Sequence, residues 1–159
     1  MKKICVILLG LVMGMMLTVN AQAPYKHSVG VTVGSFEAFS YKTFLMDNLA
    51  LSLDAGFNVW PWSIEVNPNL MYEAPTKAGG LHWLVGGGIS LGYVATGYRA
   101  YYNAGKFGFN AIGGIEYKFN IPLTLQADFR PGFGMHFNRD YTMPFFDWSL
   151  CLGIRYTIN

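Results

Sequence analysis

Phe146-Asp147-Trp148-Ser149-Leu150-Cys151-Leu152-Gly153-Ile154-Arg155-Tyr156-Thr157-Ile158 changes character at every step. Phe146, Trp148, Leu150, Leu152, Ile154, Tyr156 and Ile158 are apolar or aromatic, and every residue between them is polar or small. Successive side chains of a pleated strand point to opposite faces, so a period of two gathers all the oily groups on one side. A strand of this length demands an apolar surround on one face and a polar one on the other.

The same period recurs upstream, in segments separated by turn signals. Ser28–Ser35 carries Val29, Val31 and Val33 on one face, and Ala38–Leu45 carries Phe39, Tyr41 and Leu45. Leu49–Val59 and Ile64–Glu73 follow, the second interrupted by Pro68. Proline cannot donate to a ladder and marks an edge or a bulge, so a bulge is expected there. Leu81–Tyr93, Phe107–Phe119, Leu123–Phe137 and Phe145–Ile158 bring the count to eight. The stretch from Leu81 to Tyr98 lacks formal charge, which makes a membrane helix its rival. Gly86-Gly87-Gly88 argues against a helix, because each glycine costs about 1 kcal/mol relative to alanine.

The N-terminus sets the expected compartment. Lys2 and Lys3 precede an uncharged apolar run, Ile4–Leu17, and Val19-Asn20-Ala21 supplies a small-residue cleavage site. The run is short of the roughly 20 residues that a spanning helix needs. Residues 1–21 are therefore expected to be a signal peptide cut before Gln22, and residues 22–159 a single outer-membrane β-barrel. Cys151 then has no partner within the chain, so no disulfide framework is expected. A net charge of +2 gives no reason to expect a nucleic-acid partner. Charged residues make up only 13% of the chain, against roughly 25% in soluble domains. A soluble lipocalin-like barrel would have to turn these few charges outward and the Leu, Phe and Trp faces inward.

The expected fold is thus all-β, an eight-stranded antiparallel up-and-down transmembrane β-barrel with an even strand count. With both termini in the periplasm, the inner turns fall at Asp47-Asn48, Ala74–Gly80 and Asn120–Pro122. The outer connections fall at Phe36-Glu37, Trp60–Ser63, Val94–Lys106 and Asn138–Pro144. Tyr25, Tyr41, Tyr72, Trp83, Tyr117 and Tyr156 lie near one set of strand ends, and Trp60, Trp62, Tyr93, Tyr98, Tyr101 and Phe146 near the other. Two interfacial aromatic girdles would have this distribution.

Gly114-Ile115-Glu116-Tyr117-Lys118-Phe119-Asn120-Ile121-Pro122-Leu123, followed by Asp128-Phe129-Arg130-Pro131, resembles the penultimate hairpin of the small outer-membrane β-barrel domain family, the OmpA/OmpX-like eight-stranded transmembrane barrels of Gram-negative bacteria. Tyr41-Lys42, Asp47-Asn48-Leu49-Ala50-Leu51, Gly86–Gly88 and Gly153-Ile154-Arg155-Tyr156 resemble the same family in the same order. The resemblance spans nearly the whole mature chain and implies a barrel rather than an activity. It also implies contact with the barrel-insertion machinery and with outer-membrane lipid and lipopolysaccharide.

Alternation sends Lys42, Asp54, Glu65, Glu116, Lys118, Asp128, Arg130, Asp147 and Arg155 to the lumen. Eight strands enclose a space that side chains can just fill, so these charges are expected to pair, with Arg130 and Arg155 as centres because guanidinium presents five donors. The rival is an ion path through a small porin. A further rival is a lipid-modifying or proteolytic enzyme, since the last hairpin sets His136 roughly opposite Asp147 with Ser149 two residues deeper, the parts of a triad. No strained nucleophile turn surrounds Ser149. His27 and His82 have no metal-type spacing, and no cofactor is expected. In the outer loop, Tyr98, Arg99, Tyr101, Tyr102 and Lys106 combine aromatic and basic groups suited to lipopolysaccharide phosphates or a surface glycan. The overall expectation is a structural or surface-interaction role, in envelope integrity or adhesion, without catalysis. Ligand and oligomeric state have no signature in the chain.

Overall fold

A computed structural model of the chain describes residues 23–58, 62–96 and 103–158. The expected signal peptide, and Trp60, Tyr98, Arg99, Tyr101 and Tyr102, lie outside the described residues. Eight strands follow one another: β1 His27–Gly34, β2 Glu37–Met46, β3 Leu49–Asn58, β4 Trp62–Pro75, β5 Leu81–Thr96, β6 Ala104–Lys118, β7 Leu123–Phe137 and β8 Thr142–Ile158. Each pairs antiparallel with its neighbours in sequence, and β1 pairs with β8 to close the barrel. Closure removes the exposed edges of an open sheet except along the upper part of β8, beyond the end of β1.

The alternation of the sequence is the alternation of the wall. On β8, Phe146 is 75% exposed and Trp148 60%, while Cys151 and Arg155 on the other face are buried. Phe39 of β2 is 80% exposed. The buried side chains among the described residues are mostly polar, and a charged set including Lys42, Asp54, Glu116 and Arg155 occupies the interior. The protein is inside-out relative to a soluble domain. So large an apolar exterior exceeds the few hundred Å² that soluble monomers tolerate, and the lipocalin-like alternative falls with it.

The turns at the lower end, where His27 and Ile158 pair, are fixed by local hydrogen bonds. Asn48 Nδ2 donates to the Glu73 carbonyl at 3.0 Å, and Lys118 Nζ reaches the carbonyls of Phe119 and Ile121, both at 2.9 Å. At the upper end Asn138 Oδ1 accepts from the amides of Asp140 and Tyr141 at 2.8 and 3.0 Å, an Asx turn that closes the last hairpin.

Pro68 does not sit at a bulge. Its pairing with Leu53 of β3 keeps register, and on the other side Val66↔Leu91 and Asn69↔Gly88 share one register, with pairs missing only between them. One absent donor on one side of the strand needs an interrupted ladder, not an extra residue. Pro131 is accommodated in the same way beside β6. The register shifts lie instead between Phe44 and Met46 and between Trp62 and Ser63.

Glycine is required where strands crowd. A Cβ on Gly92 would lie 2.8 Å from Glu65 Cγ, so the small inner face of β5 leaves the lumen to side chains from β4. Gly34 ends β1 at a φ of 139°, a conformation that side-chain-bearing residues rarely adopt.

Candidate functional site

The lumen holds a hydrogen-bonded circuit drawn from four strands. Arg155 Nε of β8 donates to Ser40 Oγ of β2 at 2.8 Å, and Ser40 Oγ donates to Asp54 of β3 at 2.5 Å. Arg130 of β7 joins Asp54 at 2.6 Å to Asp128 at 2.5 Å. Gln126 Nε2 donates to Asp128 at 2.5 Å, and its Oε1 accepts from Arg155 Nη1 at 2.8 Å, which closes the ring. Each inward position is set by strand parity, and the twist of the barrel brings the four strands' side chains together at one level.

A second cluster extends the ring to the lower end. Lys42 Nζ pairs with Glu73 and, at 2.9 Å, with Glu116, which also lies 3.5 Å from Arg155. Tyr25, just before β1, donates its hydroxyl to Glu116 at 2.7 Å and meets Phe44 edge-on. Burial first, and the Glu116 carboxylate second, push the Tyr25 phenol well above its ordinary pKa, so it stays a donor. Lys42 is fully buried and Arg155 is 1% exposed. Ions withdrawn from water this completely survive only when paired.

Glu65 and Asp147 form a separate upper group around Lys106, whose Nζ lies 3.0 Å from each and 4.7 Å from the centre of the Phe145 ring. Between the groups is a cavity of about 360 Å³, open at the upper end. Ser90, Asn110 and Arg130 line its floor and His136 and Phe145 its side.

The expected lumen residues Lys42, Asp54, Glu65, Glu116, Asp128, Arg130, Asp147 and Arg155 therefore divide between two networks. Asp147 is a half-exposed rim group, and Lys118 serves the lower turn. Lys106 departs from expectation: it belongs to β6 and points inward as a bridge, so it is not part of a surface-loop contact. Tyr25 likewise is a lumen plug and not a girdle residue, because it precedes the strands and folds beneath them. Glu73 and Tyr25 were missed by the sequence reading. Glu73 shares the parity of Glu65, whereas Tyr25 offers no periodic signal.

The triad geometry is absent. His136 pairs with Met143, and Asp147 faces Gly132, four residues away along β7. Ser149 Oγ lies 3.5 Å from the Arg130 carbonyl, and His136 stacks on Phe145 with centroids 4.7 Å apart. Among the described residues no group of three His, Cys, Asp or Glu side chains converges as metal ligands would.

A closed ring of eight antiparallel strands, oily outside and charged inside, is the fold of eight-stranded outer-membrane β-barrels. No protein-family model matches the sequence, and no curated protein is similar to it. Among solved structures the chain is similar to the N-terminal β-barrel domain of Pseudomonas aeruginosa OprF, with a TM-score of 0.64 and 16% identity, covering 87% of this chain and 100% of that one. It is also similar to Neisserial surface protein A (NspA), with a TM-score of 0.52 and 15% identity, covering 83% of this chain and 93% of that one. At such identities the likeness is one of fold.

Proposed function

We propose that the chain is exported behind a cleaved signal peptide and inserted into an outer membrane as a plugged, non-catalytic barrel that works through its wall and outer loops. The observation that carries this reading is the closed Arg155–Ser40–Asp54–Arg130–Asp128–Gln126 ring, backed by the Lys42 cluster beneath it. A water path would have to cross both layers, and buried ion pairs of this kind are costly to part. The register of the last hairpin, which separates His136 from Asp147, weighs against a hydrolase.

The role that fits is structural or surface-interacting: envelope integrity, adhesion, or contact of Tyr98, Arg99, Tyr101 and Tyr102 with lipopolysaccharide phosphates or a glycan. The test is gel migration of the outer-membrane fraction with and without boiling, followed by planar-bilayer recording. A heat-dependent shift with no discrete conductance is the expected pair of results. Recovery as a soluble periplasmic protein, or stable channel openings, would each overturn it.

A further inference from the structure

The eight residues of β1 cannot cover the seventeen of β8. Their pairing stops at Gly34↔Cys151, and just above it the β1–β2 turn is tied to Leu150 through Ser35, at 3.2 Å from the Ser35 amide to the Leu150 carbonyl. From Thr142 to Ser149, β8 has β7 on one side and, among the described residues, no paired strand on the other. Among the described residues the upper wall therefore carries a gap beside β8.

The upper cavity reaches that gap. Its lining includes Trp148, which belongs to the outward face, together with Ser35 and Phe36 of the turn. Inside, charges of both signs face the space, Lys106 against Glu65 and Asp147. Two residues that line it, Asn67 and Asn110, have side-chain oxygens buried without a hydrogen-bond partner. An orphaned buried acceptor is costly, and a small side-chain shift would bring either oxygen to a ligand donor in the cavity. Ligand pockets begin at roughly 300 Å³, so a space of about 360 Å³ holds a small headgroup. Outside the gap, Phe146, Trp148 and Leu150 form an exposed apolar strip.

We propose that this vestibule binds a single-chain zwitterionic amphiphile, with its headgroup among Lys106, Glu65 and Asp147 and its chain passing through the gap onto Phe146, Trp148 and Leu150. Lys106 takes the anionic group and the two carboxylates take the cationic one. A site polar within and oily at its side exit selects a molecule built the same way. The proposal rests on the membrane reading above and adds a ligand to it.

The test titrates the purified barrel in maltoside micelles with hexylphosphocholine below its micellar threshold. Binding is followed by calorimetry and by the emission difference between the native chain and Trp148→Phe. Phosphocholine without a chain and hexyl maltoside are the comparison probes. Saturable binding is expected for hexylphosphocholine, at least tenfold weaker for both comparison probes, and at least tenfold weaker in Lys106→Met and in Ser90→Phe, which fills the cavity. Should Ser90→Phe lose its heat-dependent gel shift, Asn110→Leu carries the same comparison. Linear, unsaturable uptake, or saturation untouched by these variants, would overturn the site. Equal binding of phosphocholine would overturn the route through the gap, and equal binding of hexyl maltoside would overturn the charge recognition. Absence of the heat shift in the native chain would instead overturn the membrane reading itself.

Discussion

Arg130 Nη1 and Asp54 Oδ2 meet at 2.6 Å across the lumen from strands 76 residues apart in sequence. The contact joins β7 to β3, which share no ladder, so it braces the barrel across its diameter rather than along its wall. Removing one partner of a buried pair leaves an uncompensated charge and costs about 3–5 kcal/mol. Arg130→Met should lower the denaturant midpoint of the refolded barrel by an amount in that range, read by the loss of the heat-dependent gel shift across a urea series. A variant that unfolds with the native chain would show that the pair contributes nothing.

Lys42 allows the sharper experiment, because its partners Glu73 and Glu116 lie on different strands. Lys42→Met strands Glu73, leaves Glu116 with Tyr25 and Arg155 alone, and should destabilise strongly. Adding Glu73→Gln and Glu116→Gln removes the stranded charges, and well-packed neutral replacements of buried ion groups are often neutral or stabilising by about 1–4 kcal/mol. The triple variant is therefore expected to be more stable than Lys42→Met alone. A triple variant weaker than the single one would mean that the Tyr25 and Arg155 contacts of Glu116 outweigh the cost of its charge.

The architecture was largely legible because period-two alternation survives wherever one wall face meets lipid. β7 was read to its end residues, and the inward parity of Asp54, Arg130 and Arg155 followed from it. Pro68, Lys106 and His136 escape it for separate reasons. Pro68 was expected to force a bulge, yet a proline lacks one donor toward one neighbour, and an interrupted ladder accommodates that. An apolar signal that starts at Phe107 puts Lys106 in a loop, whereas β6 begins three residues earlier, at Ala104. A connection over residues 138–144 sets His136 roughly opposite Asp147, but the actual one, residues 138–141, is shorter, and its register pairs His136 with Met143. Parity fixes which face a side chain takes, but turn length fixes which residue it meets.

Tyr25 caps the lower end through one hydroxyl on Glu116. Hydrogen bonds to charged groups contribute about 1.5–3 kcal/mol, so Tyr25→Phe should cost an amount in that range while keeping the ring against Phe44. The same variant should stay electrically silent in planar bilayers, because the Arg130 ring above remains whole. Cutting both layers, with Lys42→Ala and Arg130→Ala together, is expected to produce measurable conductance. Silence in that double variant would indicate that the remaining lumen side chains seal the barrel unaided.

Leu152 and Cys151 are adjacent in the chain and opposite in the wall, the first exposed and the second buried. An arginine on the lipid face of such barrels costs about 2–4 kcal/mol near the midplane and little at the rims. Leu152→Arg should therefore lower stability by an amount toward that range, whereas Cys151→Ser, which places a hydroxyl beside Ser149 and the Arg130 network, should be nearly neutral. The pair also reports on access. Maleimides need the thiolate, which an apolar surround disfavours, so in intact membranes neither Leu152→Cys, in a Cys151→Ser background, nor Cys151 of the native chain should react before unfolding. Labelling of Cys151 in the folded protein would mean that the lumen side of β8 is open, and with it the case for a plugged barrel would fall.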